Sequence, residues 1–264
     1  MELTPGELRE LLTDIAQETV KMLRDEWCSD STKRVRGETI RADLESEKAI
    51  YEELSSRGFD FKMVTEESGL LGSGSYTFVV DPLDGSLNYE HCIPWCSVSI
   101  AVAPPGAKSL SDVVAGVVAP IGFGSPISFA KGVGCFEGNR KVERTEPGNS
   151  KMMFVYVETP QEAARIARLF DVIPHLKVRS LGSSALEIAL TGMGRGFAFV
   201  DIRNKLRNVD IAAAIGIARE CGAAVVNLKG EELNGSIDGV SVVGDVIVAP
   251  KNYINAIIST LSRP

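Results

Sequence analysis

Acidic residues stand in this chain where apolar runs stop. Glu66 and Glu67 follow "FKMVT", Asp81 follows "YTFVV", Asp84 comes three residues later across Pro82, and Asp210 opens "DIAAAIGIAREC". Singly, each has an ordinary reading. A Glu-Glu pair is solvated, an Asp in a turn bonds its own backbone, and an Asp before an apolar helix caps it. At neighbouring strand and helix ends, however, such carboxylates repel one another unless a cation neutralises them. Hard oxygen ligands of this kind select magnesium, manganese or calcium. In Asp81-Pro82-Leu83-Asp84 the proline stiffens the corner, so both carboxylates and the Leu83 carbonyl can turn toward one point. Gly85 lets the backbone approach a ligand closely. The amides of Gly85 and Ser86, at the start of a helix or short turn, would form an anion site. Two metals about 4 Å apart beside it suit in-line phosphoryl transfer to water. Ser86 would orient that water, with Asp43 as its acceptor.

These residues need elements to position them. Thr4, Pro5 and Glu7 form a capping box with proline in the first turn, and Leu8, Leu11, Leu12, Ile15, Thr19, Leu23 and Trp27 recur at helical spacing. Cys28 to Glu38 is polar and unpatterned and reads as an exposed, mobile loop. Asp43 stands as N-cap before a helix over Leu44 to Ser56. "FKMVT", "YTFVV", "CSVSIAVA" and "VVAGVVAP" read as strands, and "GSPISFAKGVGCF" as a hairpin. Arg140 to Ser150 is the most linker-like stretch and sets the boundary between two halves, residues 1–145 and 146–264. Beyond it, strands "MMFVYVE", "LKVRS", "GFAFVD", "AAVVN" and "DVIVAP" alternate with helices over Gln161 to Phe170 and from Ser183, Asp210 and Asn252. That is α+β in the first half and α/β in the second. "LGSGS", "GFGS" and "GMGRG" lie in the wrong order for a dinucleotide fingerprint and read as turns.

Composition narrows the function. With 44% hydrophobic residues the chain can bury a large core, and 24% charged residues argue against general disorder. A net charge of -7, with no basic block longer than "KRVR", makes nucleic acid and membrane surfaces poor partners. An anionic substrate would need local positive potential, which bound cations supply. The first residues have neither a basic nor an apolar signal-peptide region, and no apolar run is long enough to span a membrane. Five scattered cysteines read as free thiols in a reducing cytoplasm. His91, Cys92 and Cys96 could begin a soft-metal site, but no second Cys/His cluster completes four ligands.

"TEES", "DPLDGSLN" and "VDIAAAIGIARECG" together resemble the inositol monophosphatase family of magnesium-dependent sugar phosphatases, over Asp43 to Gly222. "FVDIRNKLRNVDIAAA" is similar to its archaeal-type branch, whose members often hydrolyse both fructose 1,6-bisphosphate and inositol 1-phosphate. The resemblance implies a layered αβαβα sandwich and a homodimer with two, or three, magnesium ions per site, for which manganese can substitute. Glu66, Asp81 and the Leu83 carbonyl would hold one ion, Asp81, Asp84 and Asp210 the second, and Glu66 and Glu67 a weaker third. Asp43, Ser86 and Glu66 would serve catalysis. Asp84, Gly85 and Ser86 would meet the phosphate, and Arg179, Ser183 and Ser184 would form the substrate-side turn. Asp201 would contact sugar hydroxyls and Arg203 a second phosphate. Three features depart from the family's pattern. Val209 stands for Trp, Ser86 for the commoner Thr, and the loop before Asp43 lacks the Lys or Asp-Gly-Thr signature tied to the third ion and to lithium sensitivity.

The expectation is a cytoplasmic, magnesium-dependent phosphomonoesterase acting on a small phosphorylated metabolite. Its mechanism would be attack of a metal-activated water, since neither Asp-x-Asp nor CxxxxxR marks a nucleophilic side chain. Two alternatives stay open. A 3'(2'),5'-bisphosphate nucleotidase would share the metal motifs but needs an adenine pocket. A non-catalytic phosphometabolite-binding regulator would keep the fold, because fold alone does not prove activity.

Overall fold

The computed structural model describes residues 3–146 and 148–263. In chain order the first half lays down α1 (Pro5–Asp25), β1 (Arg34–Arg36), β2 (Thr39–Ile40), α2 (Arg41–Ser56), β3 (Phe61–Thr65), β4 (Gly69–Gly72), β5 (Tyr76–Asp84), α3 (Ser86–Glu90), β6 (Ser97–Ala103), β7 (Ala115–Pro120), β8 (Ile127–Ala130), β9 (Gly134–Glu137) and β10 (Arg140–Val142). The second half adds β11 (Lys151–Tyr156), α4 (Pro160–Ala167), α5 (Leu169–Val172), β12 (Leu176–Arg179), α6 (Ser184–Gly192), β13 (Ala198–Asp201), α7 (Asn208–Glu220), β14 (Ala224–Val226), β15 (Val246–Ala249) and α8 (Ile254–Leu261).

Two sheets organise the molecule. The eight-stranded sheet runs β10-β9-β8-β7-β6-β5-β3-β4 and is antiparallel except where β3 and β5 lie parallel. The five-stranded sheet runs β12-β11-β13-β15-β14, with β12, β11 and β13 parallel. Helices α1 and α2 cover one face of the large sheet, where Leu12, Ile15, Ile50 and Leu54 meet Phe78, Val98 and Ile100. Helices α6 and α7 fill the space between the sheets. Almost every residue of α7 from Asn208 to Ala218 is buried there, as a helix closed in on both sides must be. Helices α4, α5 and α8 close the outer face of the small sheet through Ile166, Leu169, Ile254 and Ile257. The expected αβαβα layering is what forms.

Several local expectations change. The capping box of α1 is present, with Thr4 and Glu7 exchanging hydrogen bonds. Asp43, however, is not the N-cap of α2. The helix starts two residues earlier, and the Asp43 carboxylate reaches back from the third helical position to the Ile40 N–H at 2.7 Å. Asp210 does the same in α7, accepting from the Arg207 N–H at 2.7 Å. The strand ending in Asp81 does not stop there. β5 continues to Asp84 through a bulge, because Asp81 faces Ser99 while Asp84 faces Ser97. Pro82 falls in the bulge, where its missing N–H interrupts no ladder. Residues 28–38, expected to be a mobile loop, contain a short 3-10 turn and β1, which pairs with β2. The boundary stretch begins as β10, and Pro147 within it lies outside the described residues.

The reading of five free thiols does not hold. Cys28 is bonded to Cys92 and Cys135 to Cys221, leaving Cys96 as a buried thiol. Partners 64 and 86 residues apart in sequence are brought together only by the tertiary fold.

Candidate active site

The parallel pairing of β3 with β5 creates the centre of the site. Thr65 is in register with Val80, so the next residues, Glu66 just beyond β3 and Asp81 within β5, stand side by side. The first turn of α7 arrives from between the sheets and supplies Asp210. One carboxylate oxygen from each of Glu66, Asp81 and Asp210 lies within 4.8 Å of the others. They sit in a cleft of about 410 Å³, within the usual size of small-molecule sites. Leu83, Asp84, Gly85, Ser86 and Ser184 also line it, and Glu38, Arg203, Lys205 and Arg207 stand around it.

The electrostatics match this crowding. Burial, followed by the charges of Glu66, Asp84 and Asp210, pushes the Asp81 carboxyl well above its ordinary range. Burial also raises Glu66, against the opposing pull of Arg207. Asp84 is pushed up to about 7 by burial, although the Ser183 hydroxyl and the Ala185 N–H hold it down. A buried carboxyl crowded by the charges of Glu66, Asp84 and Asp210, as Asp81 is, is the arrangement a divalent cation relieves. The oxygen-only donor set fits magnesium or manganese.

Asp84 lines the cleft but stands outside the three-oxygen cluster. Its oxygens accept from the Ser183 and Ser97 hydroxyls and from the N–H groups of Ser184 at 3.1 Å and Ala185 at 3.0 Å. A carboxylate at the N-terminus of α6 is favourably placed, so Asp84 couples the β5 corner to the turn before α6. Ser183 is buried in that coupling, whereas Ser184 reaches the cleft. Gly85 has φ +89°, where a side chain would be strained, and a Cβ there would sit 2.9 Å from the Gly182 carbonyl oxygen. Ser86 begins α3, where its N–H has no intrahelical acceptor.

Other predicted residues lie further off. Asp43 is buried in the first turn of α2 and pushed up to about 7, first by burial and then by the nearby Glu67, Glu66 and Glu47 charges. Its hydrogen bond runs to Ile40, and among the described residues none joins it to Ser86. Glu67 turns to the β1–β2 hairpin, accepting from the Thr39 hydroxyl at 2.8 Å. Asp201 is fully buried under Arg203, whose Nε and Nη2 it accepts at 3.1 and 2.6 Å. Arg203 in turn spans to Glu158 at 2.5 Å and lies over the Tyr156 ring. Arg179 is exposed, bonds the Val178 carbonyl and does not line the cleft.

Four residues that the sequence reading left without a role support this site. Glu47 accepts from the Thr65 hydroxyl and from the N–H groups of Glu67 and Ser68, which fixes the turn carrying Glu66. Asn88 donates to the Trp95 and Leu181 carbonyls, both at 2.7 Å, and ties α3 to the turn before α6. Glu187, in the first turn of α6, holds the Leu181 and Gly182 N–H groups. Arg207 places Nη2 2.6 Å from Glu66 and 2.8 Å from Asp210. The one signal in the sequence is an i, i+3 spacing, Arg207 to Asp210, which resembles any helix-start pair.

Comparison with known proteins agrees with this geometry. The model of the inositol monophosphatase family matches residues 5–263. An inositol-1-monophosphatase of Aeropyrum pernix is 41% identical over 251 residues, covering 92% of each chain. A fructose-1,6-bisphosphatase/inositol-1-monophosphatase of Methanothermobacter thermautotrophicus is 34% identical over 210 residues, 74% of this chain and 73% of that one. A Pyrococcus horikoshii structure, described as having similarities to inositol-1 monophosphatase, superposes with a TM-score of 0.82 at 25% identity and covers 98% of this chain and all of its own (100%). With a carboxylate-lined cleft at the expected strand ends and a family match along nearly its whole length, the chain belongs to the inositol monophosphatase family and is a phosphoric monoester hydrolase.

Proposed function

We propose that this enzyme is a magnesium-dependent phosphatase that hydrolyses fructose 1,6-bisphosphate, inositol 1-phosphate or both, with water as the acceptor. The observation that carries this reading is the convergence of Glu66, Asp81 and Asp210 within 4.8 Å in a cleft also lined by Arg203, Lys205 and Arg207. The names of the Aeropyrum and Methanothermobacter relatives supply the substrate classes.

Glu66, Asp81 and the Leu83 carbonyl would hold one magnesium, and Asp81, Asp84 and Asp210 a second, with Glu66 and Glu67 available to a third. Manganese could replace magnesium at the same oxygens. Bound there, the ions would offset phosphoryl charge and lower the pKa of water. The chain's own groups do the rest. Gly85 and Ser86, at the start of α3, face the phosphate. Ser86 orients the attacking water, and Asp43, raised to about 7, accepts its proton. Ser184 and the Leu181–Ser184 turn meet the sugar side. Arg203 exchanges its exposed partner Glu158 for a second phosphate, and Asp201 holds its guanidinium in plane while it does so.

The two-half division, a homodimer and a cytoplasmic location remain part of the proposal. The last no longer draws support from free thiols, although no helix among the described residues is long and apolar enough to cross a membrane. The deciding experiment measures phosphate release from fructose 1,6-bisphosphate, inositol 1-phosphate and adenosine 3',5'-bisphosphate, with magnesium and then with EDTA. Magnesium-dependent release from either of the first two supports the reading. Release mainly from the nucleotide keeps the chemistry and overturns the substrate. EDTA-resistant release overturns the metal assignment.

A further inference from the structure

The cation inside the carboxylate cluster belongs to the chain itself. Arg207 is the residue just before α7, and its backbone is held on both sides. Its N–H donates to Asp210, and it bridges Val242 across the neighbouring loop. From that fixed root the guanidinium reaches Glu66 Oε1 at 2.6 Å and Asp210 Oδ1 at 2.8 Å, and its Nε lies 3.2 and 3.3 Å from the two Asp210 oxygens. Two of the three clustered carboxylates therefore already have a positive partner. The third, Asp81, accepts from the Leu83 N–H at 3.1 Å and makes no ion pair among the described residues.

A divalent ion bound by Glu66, Asp81 and Asp210 would lie within a few ångströms of this guanidinium. Like charges at that range repel strongly in a partly buried site. They would also compete for the same oxygens, since a carboxylate that gives its lone pairs to guanidinium has fewer for a metal. Arg207 must therefore move when metal binds. Its backbone cannot follow, because α7 is packed between the sheets, so the movement is a swing of the side chain. The side chain is about one-third exposed and already lines the cleft, so the open direction is into the cleft that Ser86, Ser184 and Lys205 also line. That is where an anionic substrate would sit.

We propose that Arg207 is a displaceable internal counter-ion. In the metal-free protein it neutralises Glu66 and Asp210, metal loading expels it, and the freed guanidinium then joins the phosphate-bearing ligand. This rests on the proposed reading that Glu66, Asp81 and Asp210 hold the divalent ions. Two consequences follow. Arg207 weakens metal binding in the absence of an anion, and it makes metal and phosphate strengthen each other's binding by the same factor. The site would assemble in order, metal before phosphate, without any movement of the fold.

The test is calorimetric and needs no turnover. Magnesium is titrated into the wild-type enzyme and into Arg207→Gln, which keeps amide donors but loses the charge, each with and without inorganic phosphate. The expected result is about tenfold tighter magnesium binding in Arg207→Gln without phosphate, equivalent to ~1.4 kcal/mol. Phosphate should tighten magnesium binding in both proteins, because the ions themselves attract it, and by several-fold more in the wild type, where the freed guanidinium adds to the coupling. Arg207→Lys, a point charge that cannot bridge two carboxylates, should fall between the two and covers the case in which the Gln variant does not fold. Asp81→Asn, expected to lose magnesium binding, shows that the titration reports on this cluster. Equal or weaker magnesium binding in Arg207→Gln overturns the counter-ion role and leaves the metal site standing. Absence of magnesium binding to the wild type overturns both.

Discussion

Asp81 is the residue on which the site depends most. It is buried, feels the charges of Glu66, Asp84 and Asp210, and lacks the guanidinium partner that Glu66 and Asp210 share. Asp81→Asn keeps the shape and removes the charge. Phosphate release should fall by about 10²–10³-fold or more, the scale of losing one charge-stabilising group, while circular dichroism stays unchanged. Wild-type turnover in that variant would refute the site assignment. Glu187 allows a separate test, since it touches neither the clustered oxygens nor their partners. It is fully buried, and Oε2 has no hydrogen-bond partner among the described residues. Burial, against the Leu181 and Gly182 N–H groups, pushes it up to about 8. The folded state then holds a proton that the unfolded state releases above about 4.5. The stabilisation is complete below that pH and is lost as pH rises toward 8. The melting temperature of the EDTA-treated protein should fall between pH 5 and pH 8, and Glu187→Gln should flatten part of that slope. An identical slope in the variant would show that Glu187 is ionised throughout.

At the scale of elements, the site is a meeting of ends. The parallel register of β3 and β5 aligns Glu66 with Asp81, and the bulge in β5 re-aims the chain so that Asp84 reaches the start of α6. Both helix-start acids, Asp43 and Asp210, lie at the third helical position and are oriented by the backbone N–H they accept. Gly85 lets α3 turn against the Leu181–Ser184 segment. Gly85→Ala would combine a positive φ with a Cβ 2.9 Å from the Gly182 carbonyl oxygen. We expect about 1–3 kcal/mol of destabilisation from the backbone strain, read as a lower melting temperature, and a larger proportional loss of kcat because α3 and the turn separate. Unchanged kcat in a folded Gly85→Ala protein would argue that the Gly85–Ser86 corner does not meet the phosphate.

Across the whole molecule, the second half completes the first. Helices α6 and α7 cover the inner face of the large sheet, and the Cys135–Cys221 bond joins β9 to the end of α7. The Cys28–Cys92 bond ties the segment before β1 to the end of α3. Loops of 64 and 86 residues correspond to about 4 kcal/mol each in the chain-entropy account. At this chain length, reduction should lower the melting temperature by up to about 10 °C per bond. Peptide mapping of protein alkylated in denaturant without reduction should find Cys96, buried in the fold, as the labelled thiol. Five labelled cysteines would show that the bonds do not form.

The chemistry was legible in the sequence because short-range rules carry it. Carboxylates after apolar runs, a proline-aspartate-glycine corner and a capped apolar helix are local patterns, and backbone geometry places them near strand ends and helix starts, with Asp81 inside β5 and Asp43 at the third position of α2. The layered architecture followed from strand and helix periodicity together with the family resemblance. Only the tertiary structure decided which of these ends meet. Glu66 joins Asp81 because two strands pair in parallel, Asp84 turns to α6 because a bulge redirects it, and Arg207 enters the acidic cluster because α7 is buried between two sheets. Cysteine pairing belongs to the same class. A bond between positions 64 or 86 residues apart depends on where the fold delivers two Cα atoms, 5.6 and 5.8 Å apart here, and no spacing in the sequence encodes that distance.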